Sequence, residues 1–201
     1  MFKKDEDITT LIISGTSGIG KALVNHRLRQ GSKVVCTVKE NSKKKIFANE
    51  QNLIVETLNL QNKKGIKKLK NLYKLTKLRW EELIICTGTM EPIEIFENVN
   101  FEDWETSFRI NFISQMEIIK EVLPFRTNNS KIVLFSAGGG KTPDGFSAYN
   151  ISKIALVKAA EYLDSELKNC SVVSIGPGWV RTDIHKQVLL SKSVNKSVYK
   201  E

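Results

Sequence analysis

The sequence predicts an α/β protein, an open, doubly wound parallel sheet lying between two layers of helices. Three observations lead there. Short β-branched runs alternate with longer helical patterns through most of the 201 residues. Several runs, Leu11-Ile12-Ile13, Leu83-Ile84-Ile85 and Ile132-Val133-Leu134, are apolar without alternation, as strands buried on both faces are. A glycine-rich turn follows the first run and leads into a helical pattern.

The first strand is expected over 8–14. It runs into Gly15-Thr16-Ser17-Gly18-Ile19-Gly20 and a helix over 19–30. Free N–H groups at such a helix start can receive a pyrophosphate, aided by the helix dipole. Gly18 and Gly20, which carry no Cβ, let a ligand and the neighbouring strand approach closely. Strands follow at 33–38 and 53–57. In the helix expected over 61–79, Ile66, Leu69, Leu72 and Leu75 recur with lysines opposite, the pattern of an amphipathic surface helix. A strand at 82–86, a helix over 101–123, a strand at 131–136, a helix over 148–168 and a strand at 172–175 complete the order. There is no internal repeat and no low-complexity linker, so one domain is expected over 1–201, with 190–201, polar and Lys/Ser-rich, disordered.

Composition narrows the function. A hydrophobic share of 41% and a charged share of 26% are those of a soluble globular protein. No apolar stretch reaches the ~18 residues of a membrane span. The N-terminus carries acidic residues where a signal peptide needs an apolar run, so a cytoplasmic protein is expected. Cys36, Cys86 and Cys170 are odd in number and far apart, and read as buried free thiols. With His26 and His185 the only histidines and no ligand spacing, no metal is expected. The formal charge of +9 raises a nucleic-acid reading, but lysines on one helix face and at 43–45 describe a solvated surface. Gly138-Gly139-Gly140-Lys141-Thr142 invites comparison with a triphosphate loop. It lacks the first glycine, since Phe135 stands there, and Pro143 follows instead of a helix.

Tyr149 and Lys153 are four residues apart at the start of a helix, so they share a face. A free phenol, with a pKa of ~10, is a poor proton donor and acceptor near neutrality; an ammonium beside it favours the phenolate. Ser136 ends a buried strand thirteen residues earlier, and ligands of open α/β sheets bind outside those carboxyl ends. Asn111 lies between Ile110 and Phe112 on a helix, where a polar amide needs a partner.

Together these residues resemble the short-chain dehydrogenase/reductase family, with the motifs in family order from Ile8 to about Ile184. The turn ends in Gly18-Ile19-Gly20 as the family's does, and Ile85-Cys86-Thr87-Gly88 lies in place of its Asn-Asn-Ala-Gly. Asn111, Ser136, Tyr149 and Lys153 fall on its catalytic tetrad. Pro177-Gly178-Trp179-Val180-Arg181-Thr182 is similar to its Pro-Gly-x-Val-x-Thr segment, whose threonine meets the nicotinamide carboxamide. The resemblance implies a Rossmann-type sheet in the order 3-2-1-4-5-6, here without the family's last strand. It implies proton transfer by Tyr149 at the substrate oxygen as hydride passes to or from the nicotinamide. Lys153 would hold the ribose and depress the tyrosine pKa, Ser136 orient the carbonyl, and Asn111 position a water linking Lys153 to solvent. A homodimer through the helices carrying Asn111 and Tyr149 is implied as well.

The chain departs from the family pattern in places. Ser14 stands where a glycine is usual, Ile85 and Cys86 replace two asparagines, and Asn59 replaces an acidic residue that contacts the adenine. Cofactor choice rests on the end of the second strand. Lys39 there, with Lys43–Lys45 beyond, favours the phosphate of NADP(H); Glu40 is the residue that would favour NAD(H). The expected activity is reduction of a ketone or aldehyde, such as a 3-oxoacyl group, or the reverse oxidation of an alcohol. The alternative is a regulatory protein that binds NADP(H) without turnover.

Overall fold

The computed structural model describes residues 8–188 apart from 48–49, 62, 138–143, 179, 183 and 185–187. Its strands are β1 (Ile8–Ile13), β2 (Val34–Val38), β3 (Leu53–Thr57), β4 (Arg79–Ile85), β5 (Arg126–Phe135) and β6 (Cys170–Ile175). Its α-helices are α1 (Gly18–Arg29), α2 (Lys63–Thr76), α3 (Phe101–Phe108), α4 (Ser114–Val122) and α5 (Ser147–Glu166). The strands form one sheet in the order β3-β2-β1-β4-β5-β6, and every pairing is parallel. This is the doubly wound Rossmann-type order, with its reversal between β1 and β4. The glycine-rich loop at 138–143 and the segment 190–201 lie outside the described residues.

Side-chain alternation along the strands feeds two cores. Leu11, Ile13, Leu83, Ile85, Ile132 and Leu134 face α2, α4 and α5, packing with Ile66, Leu69, Ile118, Val122 and Leu156. Ile12, Val34, Cys36 and Ile84 face the other way, against Val24 of α1. Each such side chain, taken fully out of water, contributes about 1.5–3 kcal/mol. Trp80, wholly buried at the start of β4, donates its Nε1 proton to the Val122 carbonyl at 2.8 Å and fastens the sheet to α4.

Three expectations change. The stripe on α2 is Ile66, Leu69 and Tyr73, all buried, whereas Leu75 is 81% exposed. Four residues spaced by three drift backwards around a helix of period 3.6, so Leu75 ends roughly half a turn from Ile66. The strands β4 and β5 begin earlier than their apolar runs, at Arg79 and Arg126, because parallel pairing continues through polar residues. Unlike β1 and β2, which are buried on both faces, β6 is covered on one. There Cys170 and Val172 are buried while Val173 and Ile175 are exposed. The helical stretch at 101–123 is also interrupted by a π turn over Arg109–Ile113.

Among the described residues no helix is long and apolar enough to cross a membrane, and no cluster of acidic, histidine or cysteine side chains suits a metal. The three cysteines are free; Cys36 and Cys170 are buried and Cys86 is partly so.

Candidate active site

At the carboxyl end of β1 the chain turns through Ser14, whose φ of 65° is left-handed. That conformation costs a residue with a Cβ about 1–2 kcal/mol. Two bonds hold it. The Ser14 N–H donates to Thr37 Oγ1 at 3.0 Å, and the Ser14 hydroxyl bonds that of Thr87 at 2.9 Å, joining β1 to the end of β4. The serine that replaces the usual glycine is thus tied across the mouth of the sheet. Ser17 then caps α1, accepting from the Gly20 N–H at 3.3 Å and donating to the Ser14 carbonyl at 2.8 Å. A Cβ on Gly20 would stand 2.2 Å from that same carbonyl, and one on Gly18 would stand 2.5 Å from Thr182 Cγ2. The first turn of α1 carries no acidic residue, so its positive end is uncompensated by the chain.

Two cavities open along this mouth, of about 630 and 310 Å³, and both are lined by Ser17, Cys86, Thr87 and Gly88. The larger runs to Val38, Lys39 and Asn59, at the ends of β2 and β3. The smaller reaches Ser136, Tyr149 and Lys153, with Pro177, Val180 and Thr182 beyond. Meeting at the helix start, they make one elongated groove of the size typical of cofactor sites. A dinucleotide fits what is present: a helix terminus suited to a pyrophosphate between two chambers, with Gly18 and Gly88 on the lining where no Cβ narrows it.

Lys153 is 97% buried in the smaller chamber, and its Nζ donates to the carbonyls of Phe135 at 2.8 Å and Thr87 at 3.2 Å. The nitrogen lies 5.6 Å from the centroid of the Tyr149 ring. Desolvation draws the amine down to about 8, opposed by nearby Cys86. Burial raises the Tyr149 phenol above its ordinary value. Because the folded amine holds its proton less tightly than free lysine, the unfolded chain carries more protons between pH 8 and 10.5, and stability rises with pH there. Relative to Lys153→Met, the wild type is expected to gain up to about 3 kcal/mol across that window in urea unfolding. Parallel pH curves for the two proteins would show a solvated ammonium instead.

Of the residues singled out in the sequence, Ser14, Lys39 and Asn59 line the larger chamber, and Ser17, Thr87 and Gly88 line both. Gly18, Ile19, Ser136, Tyr149, Lys153, Pro177, Gly178, Val180 and Thr182 line the smaller. Gly15, Thr16, Gly20 and Asn111 line neither. Asn59 Oδ1 accepts from the Gln61 N–H at 2.9 Å and closes a local turn. Asn111 is fully buried behind the wall. Its Oδ1 accepts from the Thr89 N–H at 2.8 Å and its Nδ2 donates to the Thr89 carbonyl at 2.9 Å, clamping the loop after β4. Sequence reasoning missed Thr37, Leu58, Met90, Gln115 and Ile184. A threonine in a strand and an apolar residue in a loop carry no local mark of a binding site.

The sequence pattern of the short chain dehydrogenase family matches residues 9–192. Among curated proteins, the chain is 25% identical over 188 residues to a 3-oxoacyl-[acyl-carrier-protein] reductase of Rickettsia typhi, covering 88% of this chain and 74% of that one. It is 28% identical over 191 residues to an uncharacterized oxidoreductase of Staphylococcus saprophyticus, covering 89% and 81%. Among solved structures, a short chain dehydrogenase/reductase of Saccharomyces cerevisiae superposes with a TM-score of 0.85 at 20% identity, covering 94% of this chain and 79% of that one.

Proposed function

Since the chain belongs to the short chain dehydrogenase family of oxidoreductases, we propose that it interconverts a carbonyl and an alcohol, with Tyr149 as the proton donor and acceptor. The observation that carries this reading is the placement of Ser136, Tyr149 and Lys153 on one chamber that joins the glycine turn. A bound nicotinamide dinucleotide supplies or takes up the hydride. Ser17, Gly18 and Ile19, at the positive end of α1, would hold its pyrophosphate. Lys39 and Asn59 would serve its adenosine end, and Tyr149, Lys153, Val180 and Thr182 its nicotinamide end. In the reducing direction, Tyr149 Oη gives its proton to the carbonyl oxygen, and the Ser136 hydroxyl hydrogen-bonds that oxygen and orients it. Lys153, in its ammonium form, favours the phenolate that remains. Met90, Phe135 and Ile184 make the rest of this wall apolar, which suits an uncharged carbonyl carbon chain, and a 3-oxoacyl group is our first candidate. Similarity to the Rickettsia reductase supports that choice.

The cofactor we propose is NADP(H) rather than NAD(H). Lys39 lines the larger chamber where β2 ends, and the adjacent Glu40 does not. A charge-assisted bond from a lysine to a 2′-phosphate is worth about 1.5–3 kcal/mol, or roughly 10- to 100-fold in affinity. Lys39→Glu is therefore expected to lower kcat/KM with NADPH by about that factor and leave NADH turnover equal or better. An unchanged ratio would remove Lys39 from cofactor choice. We also propose a homodimer through the helices carrying Asn111 and Tyr149, where Ile151, Ile154, Tyr162 and Phe101 are exposed apolar side chains. A cytoplasmic, single-domain protein is consistent with this reading. The experiment that tests the function is a panel of ketones, aldehydes and 3-oxoacyl thioesters, followed by NADPH absorbance. Turnover on any of them supports the enzyme; tight NADPH binding with turnover on none would favour a regulatory binder.

A further inference from the structure

Gln115, in the first turn of α4, is fully buried and reaches the same carbonyl as Lys153. Its Nε2 donates to the Asn111 carbonyl at 2.7 Å and to the Thr87 carbonyl at 3.4 Å. Lys153 Nζ donates to that Thr87 carbonyl at 3.2 Å. Both near neighbours of the amide are acceptors, so its nitrogen must face them and Oε1 must face elsewhere. That Oε1 is buried without a donor. The ammonium, for its part, has three protons, and the Thr87 and Phe135 carbonyls take two. Two side chains that share one carbonyl thus carry, among the described residues, a buried acceptor without a donor and an ammonium proton without an acceptor.

We propose that Gln115 is a positioning residue for Lys153: its carboxamide fixes the Thr87 carbonyl that both side chains use and offers Oε1 to the ammonium through one bridging water. A water there would have polar partners on both sides, which a buried water requires. The π turn over Arg109–Ile113 is what delivers the Asn111 carbonyl to Gln115. Among the described residues, the titratable groups facing Lys153 are Cys86 from the end of β4 and Tyr149 from its own helix. The helical turn that carries Asn111 and Gln115, and Ser136 after β5, bring only neutral groups. The amide is thus a neutral group that acts on the amine through the Thr87 carbonyl. This inference rests on the reading that Lys153 works beside Tyr149.

The test is the titration of Lys153 in the full chain, followed by NMR of 13Cε-labelled lysine with Lys153→Met to assign the signal. Gln115→Glu is expected to raise the Lys153 pKa by about one unit or more, as a carboxylate near an ammonium does. Gln115→Leu, which keeps the volume and loses both polar atoms, is expected to lower it. The alkaline limb of the kcat/KM profile should move in the same directions, with kcat changing more than KM. An unmoved Lys153 titration in both variants, with only stability altered, would overturn the proposal. Should the Glu variant fail to fold, the Leu variant decides alone. If the wild type shows no turnover, the NMR arm still judges Gln115, and only the Tyr149 reading falls.

Discussion

Tyr149→Phe is expected to lower kcat for carbonyl reduction about 10³-fold while leaving the NADPH dissociation constant within a few-fold. The change removes one oxygen. It leaves the ring on its face of α5 and the Lys153 bonds to Phe135 and Thr87 in place. Loss therefore falls on the proton and not on binding. The magnitude follows from what a positioned acid supplies, roughly 10²–10⁴-fold. Ser136→Ala, which removes an orienting bond and no transferable proton, is expected to cost less. Should the phenylalanine variant turn over normally, a water or another group protonates the product and the central role assigned to Tyr149 fails.

Gly20→Ala carries the second large effect, and here two terms oppose each other. Alanine favours a helix over glycine by about 1 kcal/mol. Against that, its Cβ would stand 2.2 Å from the Ser14 carbonyl oxygen. That oxygen is part of the backbone and is pinned by Ser17, through both its N–H at 3.1 Å and its hydroxyl at 2.8 Å. Relief requires opening the turn, and overpacking of this kind costs about 1–3 kcal/mol. The clash outweighs the propensity, so net destabilisation is expected in chemical denaturation, together with at least a tenfold loss of NADPH affinity as the N–H groups of the helix start splay. Gly18→Ala is expected to be milder in stability, since its Cβ meets the side chain of Thr182 rather than backbone. An equal loss from both substitutions would contradict this ordering.

Much of this architecture was legible because local signals agreed. Apolar runs of β-branched residues, a glycine turn at the end of the first one, and helical patterns between them specify a parallel sheet before any contact is known. The elements that were misjudged are those whose environment depends on distant chain. Leu75 looked like part of a buried stripe until the helix period carried it to the outside. Strand starts at Arg79 and Arg126 are set by their partners' register rather than by their own polarity.

The site was legible in part. Tyr149 and Lys153 sit four apart, and Ser136 ends a strand, so spacing and periodicity bring them to one mouth. Asn111 could be recognised as a buried amide, but not that its amide would be spent on Thr89. Nothing local marks Gln115, whose reach to Thr87 depends on a π turn and on the packing of α4 against the sheet. The left-handed Ser14 was likewise hidden, because its compensation by Thr37 and Thr87 comes from two other strands.

The most direct test is a crystal structure of the chain grown with NADP+. The account predicts the pyrophosphate against the N–H groups at Ser17–Ile19, the 2′-phosphate within reach of Lys39, and the nicotinamide ring beside Tyr149 and Lys153. A dinucleotide bound elsewhere, or one whose ring lies away from the Tyr149 hydroxyl, would contradict it.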